Sequence, residues 1–411
     1  MNLNLPIISE LDKQVVVLAA GRLASAIGTG LTVFYAPIFF VNVAGISATS
    51  VGLGIGCGGF FGILGRFLGG SLADSPRTGR RGTLIMASLL LSAGAACFAA
   101  TETFFHFLIG NILTGLGIGL YWPAAESFIS DITEAKKLNE AFALTRLADY
   151  TGLGLGVIAG GLVLGYHHAY RLLFVLDSLS YLILFAFILR GLEETIHKSG
   201  NRPKSILSNW LSACKDRVLL LYAFLNLLFT NNILQMSSTL PLYFSNFVFP
   251  EKAGGSPVSI IFSVYIILLS LLVMPLARLC SQRSKIKVLM VACIFWAGAQ
   301  LMVAQLGADP VYPLALAIAT IASFAVANAL YGPSASSLVV EISPRESRAT
   351  YLAINSLCWG ISGSLGPALG LAAMDHGSDL AVRYWIILSA INVFSFLGLF
   401  LLNKISKRQE I

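Results

Sequence analysis

Twelve stretches of this chain are apolar and long enough to cross about 30 Å of hydrocarbon, and that leaves few folds open to it. They run over approximately residues 14–40, 48–73, 82–101, 104–131, 139–165, 171–192, 218–247, 257–281, 286–306, 312–341, 348–374 and 382–403. In lipid, each backbone N–H and C=O must find its partner within the protein, so such stretches are expected to be helices. The two-residue alternation of a membrane barrel is absent. Hydrophobic residues make up 56% of the 411 and charged residues only 11%. A soluble domain of this size could not hide so much apolar surface, so the bilayer is the expected solvent. The first run is too long for a signal-peptide core and lacks a cleavage site, so it reads as a retained helix.

The net charge of +7 is a topology signal, and no nucleic-acid partner is expected. Lys13, Arg77, Arg80, Arg81, Lys136, Lys137, the long middle loop, Arg278, Arg283, Lys285, Lys287, Arg345, Arg348, Lys404, Lys407 and Arg408 fall on one side. Only Arg171, Lys252 and Arg383 fall on the other. The asymmetry places both termini in the cytoplasm, in what is expected to be a bacterial inner membrane.

The chain also repeats itself. Residues 120–127 (Leu-Tyr-Trp-Pro-Ala-Ala-Glu-Ser) and 330–337 (Leu-Tyr-Gly-Pro-Ser-Ala-Ser-Ser) lie 210 positions apart. Gly156 and Gly160 fall on Gly366 and Gly370 at the same offset, and Ala36-Pro37-Ile38-Phe39-Phe40 pairs with Leu240-Pro241-Leu242-Tyr243-Phe244 at 204. Six spans per copy is an even number, so both copies enter the membrane from one side and the repeats are parallel. The expected domains are a six-helix bundle over 1–192, a cytoplasmic linker over 193–217 and a second bundle over 218–411. Within the linker, Ile206, Leu207, Trp210, Leu211 and Cys214 share one helical face, which suggests a short surface helix.

Charges within spans need a reason, because each costs about 2.5–3.5 kcal/mol at mid-membrane on insertion scales. The first half carries Arg22, Arg66, Glu126, Arg146, Asp149 and Asp177, whereas the second carries amides and hydroxyls such as Asn226, Asn231, Gln235, Asn328 and Asn355. Arg22, Glu126, Arg146 and Asp149 should lie at a similar depth, counting about 1.5 Å of rise per residue. Two readings follow. They form a neutralising network that holds the first half together, or they couple transport to protons, with Glu126 the first candidate carrier and Asp149 the second. Arg22 could instead hold an anionic substrate group. Asp177 is expected to be a structural hydrogen-bonding residue. The six cysteines and the histidines show no metal-ligand spacing, and no nucleophile–base pair or phosphate loop is present. No enzyme, cofactor or metal is expected.

Between the second and third spans the chain reads Gly70-Ser71-Leu72-Ala73-Asp74-Ser75-Pro76-Arg77-Thr78-Gly79-Arg80-Arg81. This resembles the signature loop of the major facilitator superfamily, G-x-L-A-D-r-x-G-r-r, with a turn two residues longer than usual. In span five, Gly152-Leu153-Gly154-Leu155-Gly156-Val157-Ile158-Ala159-Gly160-Gly161 is similar to that family's antiporter motif, with Val157 where proline is usual. The second half keeps the proline at Pro367. With this motif the chain resembles the bacterial drug:proton antiporter branch, although glycine-rich packing alone would look much the same.

The resemblance implies an all-α integral membrane fold of twelve helices in two parallel six-helix repeats, working by alternating access. It implies a latch joining the halves, built from Gly70, Asp74, Asp131 and one of Arg77, Arg80 or Arg81. It implies a central cavity lined by spans one, four, seven and ten, hence by Arg22, Thr29, Tyr121, Trp122, Glu126, Asn231, Gln235, Asn328 and Tyr331. Asn111 stands where the family often has an arginine linked to proton coupling, so that route is closed here. The expected function is proton-coupled export of small amphipathic molecules by a monomer. An importer or facilitator of a polar metabolite or organic anion, and a non-transporting assembly or sensing protein, remain as alternatives.

Overall fold

The computed structural model describes residues 11–73, 75–134, 138–167, 169–195, 213, 215–249, 256–280, 283–307, 312–343 and 348–409. Among these residues all regular structure is helical. Twelve helices are long and apolar enough to cross a membrane. They are α1 (Lys13–Thr32), α2 (Ala48–Ala73), α3 (Gly79–Ala99), α4 (Phe104–Ile132), α5 (Leu138–His167), α6 (Tyr170–Gly191), α7 (Arg217–Gln235), α8 (Ser256–Cys280), α9 (Lys285–Leu306), α10 (Pro313–Ile342), α11 (Arg348–Asp375) and α12 (Ser378–Gln409).

The paired prolines explain a break that the two copies share. Proline has no N–H, and its ring clashes with the carbonyl four residues back. Upstream of Pro37 the first span loosens into a turn, then resumes as Ala36–Ile38 and a π turn at Phe39–Val43. Upstream of Pro241 the seventh span does the same, resuming as Thr239–Tyr243 and a π turn at Phe244–Val248.

By its internal contacts the chain divides into two compact units, Met1–Gly200 with Gly254–Ser259, and Asn201–Ala253 with Ile260–Ile411. In the first unit α1 packs on α5 and α6, α3 packs on α4 and α6, and α2 packs on α4. In the second, α7 packs on α11 and α12, and α9 packs on α10 and α12. Adding six to the labels of four of the first unit's pairs gives the second unit's pairs, so both copies fold by one pattern. The expected surface helix over Ile206, Leu207, Trp210, Leu211 and Cys214 lies outside the described residues.

Glycine sets how close α5 comes to α1. A Cβ on Gly156 would sit 2.1 Å from the Ile27 carbonyl oxygen, and one on Gly30 would sit 2.3 Å from that of Leu153. These helices therefore meet backbone to backbone, which only residues without a side chain allow. The glycines of the antiporter-like motif serve this seam. In the second unit a Cβ on Gly366 would lie 2.5 Å from Asn231 Oδ1 on α7, so the corresponding seam is built around an amide.

Candidate functional site

Arg22 is 7% exposed, too buried to stay charged without a partner. The α1–α5 seam supplies one. Arg22 Nε–H donates to Asp149 Oδ1 at 2.8 Å, and a terminal N–H of the same guanidinium donates to Asp149 Oδ2. This two-pronged pair is the strong form of a charge-assisted hydrogen bond. On its other side the guanidinium carbon lies 4.5 Å from the Trp122 ring centre and 5.2 Å from that of Tyr121. Arg146, from α5, sets its own guanidinium carbon 4.7 Å from the Trp122 ring centre. Two cations thus share one indole, whose electron-rich face attracts each by about 0.5–2 kcal/mol.

Glu126 stands one turn beyond Trp122 on α4. Its side chain is exposed and lies within electrostatic reach of Arg146, Arg66 and Arg22. Arg66 comes from α2, which the glycine seam brings close: a Cβ on Gly119 would be 2.8 Å from the Arg66 backbone nitrogen. The structure therefore brings together Arg22, Tyr121, Trp122, Glu126, Arg146 and Asp149, with Arg66 beside them. No residue spacing linked Arg66 to the others. The signal lay in the small residues Gly65 and Gly119, which let α2 and α4 meet. Thr29 does not join this group; its hydroxyl bonds Tyr181 Oη at 2.9 Å on α6. Asn111 is buried, with its amide donating to the Phe107 carbonyl at 2.9 Å in its own helix.

The signature loop forms a second polar cluster, within the first unit. Arg80 Nε–H donates to Asp131 Oδ2 at 3.2 Å, and Thr195 Oγ1–H donates to the same oxygen at 2.9 Å. Of the three candidate arginines, Arg80 is thus the one paired with Asp131. Arg81 donates to the Leu189 carbonyl at 2.7 Å, and Arg77 is exposed. Asp74 lies outside the described residues, and Gly70 faces open space. Sequence reasoning missed Glu194. Its carboxylate accepts the backbone N–H groups of Arg80 at 2.8 Å and Arg81 at 3.1 Å, capping the positive start of α3. Gly79 makes room for it, with φ +67° and no Cβ, which would sit 2.1 Å from Glu194 Oε2.

In the second unit most of the expected cavity residues are engaged with neighbouring helices. Gln235 is 1% exposed and donates to Asn231 Oδ1 and to the Gly366 carbonyl, both at 3.1 Å. Asn328 accepts from Trp296 Nε1–H at 2.9 Å and donates to Tyr265 Oη at 2.6 Å. Tyr331 Oη–H donates to Asn226 Oδ1 at 2.8 Å, and Asn226 donates to Asn355 Oδ1 at 2.9 Å. Gln235, Asn328 and Tyr331 are buried and bonded within their own unit. An amide among apolar helices has no water to bond, so it bonds the nearest helix. Only Asn231 of the second-unit candidates is partly exposed. Gln300 and Asn392, not singled out from sequence, close a ring of buried amides with Asn232: Asn232 donates to Asn392 at 2.8 Å, Asn392 to Gln300 at 2.7 Å and Gln300 to Asn232 at 2.8 Å. At the start of α7, Asp216 caps the helix and accepts the Tyr351 hydroxyl at 2.6 Å. Among the described residues no group of His, Cys, Asp and Glu could hold a metal ion.

A charged aromatic cluster on one six-helix unit, a signature-loop cluster and a duplicated helical pattern all point one way. The family model of the Major Facilitator Superfamily matches residues 18–367 and 247–410. The chain belongs to this superfamily. It is 26% identical over 307 residues to the uncharacterized MFS-type transporter YhjO of Bacillus subtilis, covering 74% of this chain and 73% of that protein. It is 23% identical over 366 residues to the multidrug resistance protein MdtH of Cronobacter sakazakii, covering 88% and 87%. Among solved structures it resembles the nucleoside transporter NupG with a TM-score of 0.79 at 14% identity, covering 96% of this chain and 100% of that one. This superfamily member is therefore an integral membrane transporter of small molecules and not an enzyme.

Proposed function

We propose that this transporter exports small amphipathic compounds in exchange for protons, and that Asp149 and Glu126 carry the proton. The observation that bears most on this is the Arg22–Asp149 pair, set against Trp122 beside the exposed Glu126 and Arg146. Among the described residues, protonating Asp149 removes the anion bonded to a buried guanidinium. The Arg22 charge then needs a new partner or must reach water, and either response shifts α1 against α5. A proton on one residue thereby becomes a movement of helices, which is what coupling requires. The half-buried Trp122 offers flat apolar surface, and the exposed Arg146 and Glu126 offer one charge of each sign, a combination suited to amphipathic compounds. The likeness to a multidrug resistance protein supports export. A monomer with both termini in the cytoplasm is part of the same reading.

The second reading is an importer or facilitator of an organic anion. Arg22 is held by Asp149, so the cation open to such an anion is Arg146, exposed on the indole. The test is transport in proteoliposomes under an imposed pH gradient, with amphipathic cations and organic anions as candidate substrates. Wild type is compared with Glu126→Gln and Asp149→Asn. Substrate accumulation driven by ΔpH, lost in one variant that still exchanges substrate, is the expected result. Transport indifferent to ΔpH in wild type would sink proton coupling and leave the facilitator.

A further inference from the structure

A second carboxyl lies in the first unit, away from the cluster above. Asp177, on α6, is 6% exposed. Among the described residues one hydroxyl donates to its carboxyl, on Oδ2, and the buried Oδ1 has no hydrogen-bond partner. Thr32 Oγ1–H, on α1, donates to Asp177 Oδ2 at 3.1 Å. Ser180 Oγ–H donates to the Asp177 backbone carbonyl at 2.7 Å, and a Cβ built on Gly28 would meet Ser180 Oγ at 2.0 Å and Asp177 Oδ1 at 2.7 Å. The α1–α6 seam is therefore shut tight against this carboxyl, with no space at Gly28 even for a methyl group.

The charged and titratable groups nearby do not neutralise it. On α1, Arg22 is ten residues from Thr32, roughly 15 Å along the helix, and is already bonded to Asp149. Tyr35, also on α1's span, donates to the Val157 carbonyl. On α3 the nearest titratable group along the helix is Cys97, five residues beyond Ser92, which bonds Ser178. On α6 itself, Tyr181 bonds Thr29, and Arg171 donates to the Thr101 carbonyl at 3.0 Å. Among the described residues no cation pairs with Asp177.

An ionised carboxylate in such a place would carry a full charge with one hydroxyl donor on Oδ2 and none on Oδ1, an arrangement that burial strongly disfavours. An alkali ion would need room that the seam does not have. A proton needs none. We infer that Asp177 is a proton-binding residue, separate from the Arg22–Asp149 cluster, whose bound proton keeps the α1–α6 seam closed. Loss of that proton would put a bare charge between α1 and α6, and the two helices would part to admit water or a cation. Thr29 of α1, bonded to Tyr181 of α6, lies between this site and Arg22. The two carboxyls therefore act on opposite stretches of one helix.

The inference does not depend on the direction of transport or on its substrate, and it can be tested without transport. Infrared spectra of the full-length protein in lipid nanodiscs are recorded at neutral pH for wild type, Asp177→Asn, Asp177→Glu and Asp149→Asn. The expected result is a protonated-carboxyl C=O band in wild type that shifts on H/D exchange. The band should vanish in Asp177→Asn, move in Asp177→Glu and persist in Asp149→Asn. Size-exclusion profiles show which variants are folded, and Asp177→Glu keeps the test open if Asp177→Asn is not. A spectrum unchanged by both Asp177 substitutions, or a wild type without the band, would overturn the inference and leave Asp177 as an ionised structural group.

Discussion

Arg22 and Asp149 stabilise the first unit only as a pair. Removing one charge leaves the other without its counter-ion, which costs about 3–5 kcal/mol for a fully buried pair. Asp149 is 23% exposed, so the lower end applies. Asp149→Asn should lower the thermal midpoint of the solubilised protein, and Arg22→Met with Asp149→Leu should recover part of that loss. A double variant no more stable than the single one would mean that the pair contributes beyond mutual neutralisation. Tyr351 offers a milder case, on the first turn of α11 and before that helix's membrane span, Ile354–Asp375. Its hydroxyl is pushed up to about 12 by burial first and then by the Asp216 carboxylate. It stays protonated and keeps donating to Asp216 at neutral pH. Because the folded value lies above the ordinary value of 10.0, this contribution is complete below about 10 and is lost as pH rises through about 12. Tyr351→Phe should therefore cost about 1 kcal/mol at neutral pH. The gap from wild type should narrow in strong alkali, which denaturant titrations at the two pH values would read.

At the scale of elements, glycines decide which helices touch. Gly156 meets the Ile27 carbonyl, whereas Gly298 on α9 has nothing within 4 Å of where its Cβ would be. Gly156→Ala should force α5 off α1 and cost about 1–3 kcal/mol. Gly298→Ala should be neutral or stabilise by up to about 1 kcal/mol through helix propensity. Thermal melts of the two variants check this, and equal effects would mean that the α1–α5 seam yields easily. The motif that resembled an antiporter signature was legible as glycines, but its role in seating α1 was not, because spacing on one helix does not name the helix it meets. Glu194 was missed for the same reason: an acidic pair after a span says nothing of the helix start it will cap. Asn231 and Gln235 were legible as amides within a span, yet that Gln235 bonds α11 depended on where Gly366 lay.

For the whole molecule, hydropathy and charge asymmetry fix the expected threading. With the six native cysteines replaced, single cysteines at the exposed positions Arg77 and Lys404 should be labelled by an impermeant thiol reagent from the cytoplasmic side, and one at Glu102 from the opposite side. Labelling of Arg77→Cys and Lys404→Cys from different sides would overturn the parallel-repeat topology. By itself the sequence determined the number of spans, the helical class and the duplication, whereas the paired breaks upstream of Pro37 and Pro241 were seen only in the structure. The spans and their class follow from a short-range rule: lipid demands internal hydrogen bonds. Tertiary structure decided which charges meet. Arg22 and Asp149 are 127 positions apart, and Arg66 reaches Glu126 through a seam of glycines. Charge pairing in a bilayer depends on which helices become neighbours, and that is settled by packing between distant segments.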